Sequence, residues 1–154
     1  RLRQVALASY PMVSGGKGVH VVVPLAPKAD WRLAKEFARA FARRMAEDEP
    51  KRFTANLSKA RRQGRLFIDY LRNERGATAI APWSARSRQG APVAVPVGWD
   101  ELDAVPAANA WSLADAAARA RGLDPWPGYF EQEQSLSDGL LARLADGRGD
   151  AASG

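Results

Sequence analysis

Near the start of this chain a glycine-rich turn separates two apolar segments. That arrangement limits the fold more than any other stretch. Ser9 to Val13 and Val19 to Leu25 are joined by Ser14-Gly15-Gly16-Lys17-Gly18. Apolar and β-branched residues favour extended backbone, and a short glycine turn folds two such runs back on each other. Val21-Val22-Val23 is apolar at successive positions. A strand of that kind is expected to be covered on both faces and central in its sheet. Pro24 and Pro27 end it.

Beyond the hairpin, Asp30 is placed to cap a helix over Trp31 to Ala46. Leu33, Phe37, Phe41 and Met45 recur every four residues, which predicts a buried stripe packed on the sheet. Ser58 to Gln63 reads as a short basic helix closed by Gly64. Strands are expected at Leu66 to Tyr70 and Thr78 to Trp83, with an edge strand at Pro92 to Val97, where two prolines break the ladder. Trp99 to Asp103 reads as a short helix or turn. Ser112 to Arg121 is a capped helix ending at Gly122, and Tyr129 to Leu144 holds one more helix. The expected fold class is therefore α+β: a mixed or antiparallel sheet with packed helices and a helical C-terminal extension. Residues 1–98 form the main unit and 99–145 the helical extension of the same domain. Residues 146–154 are small and polar, and read as a disordered tail.

At 154 residues the chain is long enough for one domain with a real core. Its longest apolar run, Val19 to Ala26, is interrupted by His20 and Pro24, so no membrane span is expected. Cysteine is absent, which excludes disulfides and thiolate metal sites and agrees with a reducing cytoplasm. The net charge of +6 conceals an uneven distribution. Residues 51–90 hold ten Lys or Arg against two acids, and residues 91–154 hold four against ten. A local positive field of that kind attracts phosphates, although an arginine-rich surface merely solvated by water has the same composition.

Three places could carry chemistry. In Ser14 to His20, successive glycines let backbone amides approach an anion, Lys17 adds a charge and Ser14 a hydroxyl. The same residues also fit an ordinary hairpin with an exposed lysine. The spacing is not that of a Walker A loop, because a strand rather than a helix follows. Asp69 interrupts an apolar run, and a carboxylate there needs a partner. A divalent cation would serve, and so would Arg72 or Arg75. One carboxylate cannot hold Mg²⁺ tightly by itself. Arg86 and Arg88 stand two residues apart after the Thr78–Trp83 segment, where their planar forks would suit phosphate oxygens. They also fit a plain basic loop. A hydrolase built on Ser14 and His20 lacks an evident orienting acid.

Taken in order, these segments resemble the polymerase domain of bacterial ATP-dependent DNA ligase D, a primase-polymerase of the archaeo-eukaryotic primase superfamily. The resemblance runs from about Ser9 to Trp99. It covers Ser14 to Leu25, Phe53-Thr54 through Lys59 and Arg62, and Ile68-Asp69-Tyr70-Leu71-Arg72-Asn73. It continues through Gly76 to Arg86, with Trp83 where the family often has Tyr, then Gly90 to Val93 and Trp99 to Leu102. It implies the primase-like, RRM-like catalytic half of that domain, acting as a nucleotidyltransferase in end-joining repair. It also implies specific roles. Ser14, Lys17, His20, Arg72, Arg86 and Arg88 would bind nucleoside triphosphate, with His20 and Asp69 catalytic and Asp69 a ligand for Mg²⁺ or Mn²⁺. Implied partners are DNA, the remaining N-terminal half or a ligase chain, and a second copy as a homo-oligomer. The family's Asp-x-Asp metal pair is absent from the sequence. The expectation is thus a C-terminal half that binds triphosphate and is inactive alone. The alternative is a non-catalytic nucleic-acid-binding or scaffold module in repair.

Overall fold

The computed structural model describes residues 1–122 and 124–145, and the tail expected at 146–154 lies outside them. After a 3-10 turn at Leu2–Val5, the chain forms β1 (Tyr10–Val13) and β2 (Val19–Val22), then α1 (Trp31–Asp48). Next come β3 (Phe53–Thr54), β4 (Leu66–Phe67) and β5 (Val95–Pro96), followed by α2 (Leu113–Arg119) and α3 (Asp138–Ala145). The α+β class is as expected.

A three-stranded antiparallel sheet has the order β2-β1-β5. Met12 lies opposite both His20 on β2 and Pro96 on β5. The expectation that the valine-rich strand is central is therefore corrected. β1 is central and β2 forms an edge, with Val19 42% and Val21 48% exposed. Successive apolar residues signalled burial on both faces, but among the described residues β2 pairs with β1 alone.

The Thr78–Trp83 strand does not form. These residues run without a ladder into a turn, where Trp83 adopts a left-handed φ of 63°. Pairing begins just afterwards. Trp83 N–H donates to the Ala94 carbonyl (2.8 Å), Ala94 N–H to Ser84 (2.9 Å), and Arg86 N–H to Pro92 (2.8 Å). The segment from Pro92 to Val97 thus has β1 on one side and the Trp83–Arg86 segment on the other, and all six of its residues are buried. Pro92 and Pro96 still take part through their carbonyls, which accept from Arg86 N–H and from Arg119 Nε. The Glu101 carboxylate accepts from Gly98 N–H and from Arg119 (both 2.6 Å), while Arg119 also reaches the Pro96 carbonyl (3.3 Å). These bonds clamp α2 to β5.

Asp30 caps α1 as expected, accepting from Leu33 N–H at 2.7 Å. Leu33 and Phe37 are buried, whereas Phe41 and Met45 are half-buried. The stripe does not lie chiefly on the sheet. It packs with Leu7, Leu136 and Leu140, joined by Val23 and Leu25 beyond β2, so α3 and the N-terminal segment are its main cover. Gln134 ties these parts together, bonding Ala8 N–H, the Ala8 carbonyl and the Pro24 carbonyl at 2.7–2.9 Å. Trp126 buries its ring against Met12 and Ala94 and donates to the Pro11 carbonyl (2.9 Å). Residues 99–145 therefore pack back onto the same core as the hairpin.

β3 and β4 pair in parallel, with Phe53 opposite Leu66 and Thr54 opposite Phe67. The connection between them carries a 3-10 turn at Lys59–Arg62, and Gly64 at φ 67° redirects the chain into β4. β4 is shorter than expected, ending before Asp69.

Candidate functional site

The glycine turn is closed by its own first residue. Ser14 N–H donates to the Gly18 carbonyl (3.0 Å), and the Ser14 hydroxyl accepts from Gly18 N–H (3.4 Å). Ser14 is buried, so its hydroxyl serves the turn in this conformation. Gly15 has φ 63°, and a Cβ there would stand 3.0 Å from the Pro92 carbonyl oxygen and the Val93 carbonyl carbon. A Cβ at Gly16 would lie 3.3 Å from the Arg86 guanidinium. The glycines are needed because a second chain segment lies against the loop.

That segment delivers Arg86. With its backbone held on Pro92, Arg86 donates from Nε to the Ser14 carbonyl (2.9 Å). This bond aligns the guanidinium across the loop and leaves its two Nη groups without a hydrogen-bonded partner among the described residues. The Ser14 carbonyl has no signature in the sequence; only the paired glycines hint at a close approach.

His20, on β2 opposite Met12, is half-buried. Its pKa is held below the ordinary imidazole value, chiefly by burial and then by the positive charge of Arg86. Arg72 lowers it further, while Asp69 opposes the shift. His20 is therefore neutral at pH 7 and can both donate and accept a hydrogen bond. The charges of Arg86, Asp69 and Arg72 are thus all felt at this one imidazole.

Asp69 is exposed just beyond β4 and accepts from Leu71 N–H at 3.0 Å. Arg72 is exposed. Lys17, at the loop tip, and Arg88, in the turn after Arg86, are also exposed. The structure joins Arg86 to Ser14 by a hydrogen bond, and the charges of Arg86, Asp69 and Arg72 all bear on His20. None of the site's cations forms an ion pair among the described residues.

Among the described residues no group of three or more His, Cys, Asp or Glu could hold a metal ion. Asp69 alone does not fit a metal centre, and a two-metal centre still less. No described helix is long and apolar enough to cross a membrane.

The sequence model of the LigD primase-polymerase domain matches residues 1–126. The chain belongs to that family. It is 40% identical over 149 residues to the multifunctional non-homologous end joining protein LigD of Pseudomonas aeruginosa, covering 95% of this chain and 18% of that protein. The corresponding protein of Mycolicibacterium smegmatis is 42% identical over 96 residues, 62% of this chain and 13% of the relative. Among solved structures, the polymerase domain of Mycobacterium tuberculosis ligase D in complex with DNA superposes with a TM-score of 0.64 at 31% identity. The match covers 97% of this chain and 43% of that one. The chain therefore spans less than a fifth of these curated relatives and less than half of the solved domain. The expected family and fold class both hold.

Proposed function

We propose that this chain is the triphosphate-handling part of a LigD-type polymerase domain used in DNA end joining. The observation that carries the reading is the Arg86 guanidinium anchored on the Ser14 carbonyl against the glycine turn, with the charges of Asp69 and Arg72 felt at the neutral His20 as well. Arg86, pre-aligned by the Ser14 carbonyl, offers two free Nη donors to a phosphate without first having to be ordered. Arg72 adds charge from the opposite segment. Lys17 and Arg88 lie at the entrance, where long cations follow a flexible polyphosphate tail. Ser14 shapes the loop, and its hydroxyl becomes a phosphate donor only if the turn opens. His20, uncharged, contributes a directional hydrogen bond rather than another cation. A catalytic role for His20 rests on its neutrality.

Asp69 is the one carboxylate in this cluster able to join a Mg²⁺ or Mn²⁺ centre, and the other carboxylates must come from additional polypeptide. The uncovered valines of β2 are where such polypeptide, or a second copy, would complete the sheet. DNA, the chemical partner of the solved relative, is the substrate this reading implies.

The 154-residue chain is expected to bind a nucleoside triphosphate yet extend no primer with Mg²⁺ or Mn²⁺. Arg86→Ala should weaken triphosphate binding about tenfold, since a charge-assisted fork is lost. Arg39→Ala removes the same charge from α1 and should change it less than about twofold. Isothermal titration at two salt concentrations measures both. Equal effects would reduce the site to nonspecific electrostatics. Robust primer extension would show that the chain completes its own metal centre.

The reading as a nucleic-acid-binding scaffold module has one observation in its favour. Of residues 51–90, which carry ten cations, Thr54 alone is buried.

A further inference from the structure

Asp69 and Arg72 belong to a long stretch of chain with few attachments. Ile68 N–H donates to the Thr54 carbonyl (2.9 Å), and the next backbone bond to another segment runs from Trp83 N–H to the Ala94 carbonyl (2.8 Å). Between them the backbone bonds are local. Leu71 N–H donates to Asp69 Oδ1 (3.0 Å), Asn73 Nδ2 to the Tyr70 carbonyl (3.1 Å), and Ala77 N–H to the Glu74 carbonyl (3.1 Å). From Asp69 to Pro82, among the described residues, a single hydrogen-bonded ion pair leaves the segment: Lys35 Nζ donates to Glu74 Oε2.

The two ends of that pair differ in how firmly they are held. Lys35 stands between Leu33 and Phe37 in α1, whose side chains are buried with Leu7, Leu136 and Leu140. A residue two places from each lies on a different helix face, so Lys35 has a fixed backbone and a free side chain. Glu74 stands two residues after Arg72, and two residues of chain span at most about 7 Å. Fixing Glu74 therefore limits where Arg72 can travel. Tyr70 and Ile80 are half-buried, and Ile80 packs against the cluster of Met12, Ala94 and Trp126. Such apolar contacts are non-directional and do not by themselves set where Arg72 points. An ion pair with both side chains 42% exposed adds little to global stability. Its effect falls on the local opening of a segment that has few other attachments.

We propose that Lys35 and Glu74 are positioning residues, whose ion pair straps the Asp69–Arg72 segment to α1 and so sets where Arg72 meets the triphosphate. The inference rests on the triphosphate reading above and adds that one of its cations is placed by a helix that gives nothing to the ligand. It also fixes the sign of a charge effect. Glu74 is an acid close in sequence to a polyanion site, so by electrostatics alone its loss tightens triphosphate binding. As a strap, its loss frees Arg72 and weakens binding.

The test uses the whole 154-residue chain, isotopically labelled for NMR, with ATP as the probe. Without nucleotide, Glu74→Gln and Lys35→Met should each shift or broaden the amide signals of Leu71, Arg72 and Asn73. Each should raise the ATP Kd about two- to fivefold while leaving the urea midpoint nearly unchanged. The exchanged pair, Lys35→Glu with Glu74→Lys, should restore both the amide signals and the affinity, which a merely structural loss would not do. Glu36→Gln breaks the Arg32 pair within α1 and should leave both readouts nearly unchanged. Unchanged amides, unchanged ATP affinity or tighter ATP binding in Glu74→Gln would each overturn the inference. A wrong triphosphate site would show differently, as ATP binding indifferent to Arg86→Ala.

Discussion

Two neighbouring regions of this molecule solve opposite problems. From Pro92 to Val97 every residue is buried, gripped between β1 and the Trp83–Arg86 segment. From Lys51 to Gly90 Thr54 alone is buried, and short β3 and β4 are held by a handful of backbone bonds. The first region supplies position: it backs the glycine turn and sets the backbone of Arg86. The second supplies charge and reach: Asp69, Arg72 and the cations of the connection. A polyanion site needs both, because a fixed fork gives selectivity while mobile cations give capture.

The contrast is most easily broken by stability measurements. Trp126→Ala removes a buried ring and its bond to Pro11, and should cost about 3–5 kcal/mol in urea unfolding. Leu66→Ala, at a position 64% exposed in β4, should cost less than about 0.5 kcal/mol. Similar costs would mean that the two regions share one core. Gly15→Ala forces a side chain into left-handed backbone against Pro92 and Val93, for about 1–3 kcal/mol. It should also weaken triphosphate binding by shifting Arg86.

Within the basic region the cations themselves should separate. Arg62→Met loses the Leu57 carbonyl bond and the cover over Phe67, and should cost about 1 kcal/mol in the same unfolding experiment. Lys59→Ala should fall within about 0.5 kcal/mol of zero.

The smallest effect concerns His20. Its folded pKa is lowered, so between that value and the unfolded value near 6.5 the unfolded chain binds more protons. Stability should therefore be complete above pH 6.5 and decline as pH falls through the folded value. Replacing His20 with Gln should flatten that decline. NMR titration should show the His20 pKa rising in Arg86→Ala, since Arg86 is the second cause of the lowering.

Much of this was legible from residue order. The Ser9–Leu25 hairpin, the Asp30 and Ser112 caps and the leading half of the α1 stripe follow from local rules, which act over one turn of chain. The grouping of His20, Asp69 and Arg86 into one site was implied only by the family resemblance, since nothing local links residues so distant in sequence. The strand expected at Thr78–Trp83 failed for a related reason. Extended propensity is present there, but a ladder needs a partner, and Pro92–Ala94 offers its free edge to Trp83–Arg86 instead. The position of β2 failed because hydropathy reports what a strand is suited to touch, and not whether its neighbour is present. The Ser14 carbonyl could not have been read at all, since every residue has one.

Gln134 and α3 lie beyond residue 126, where the family match ends, yet they close the core beneath α1. Likeness to the Pseudomonas relative covers 95% of the chain, so the end of the family model marks neither the end of shared ancestry nor that of mechanical integrity. A cut at residue 126 would keep every member of the proposed triphosphate cluster and strip the α3 cover from Leu7, Leu33 and Phe37. Anyone trimming this chain to residues 1–126 would retain the proposed site and lose the scaffold that keeps it in register.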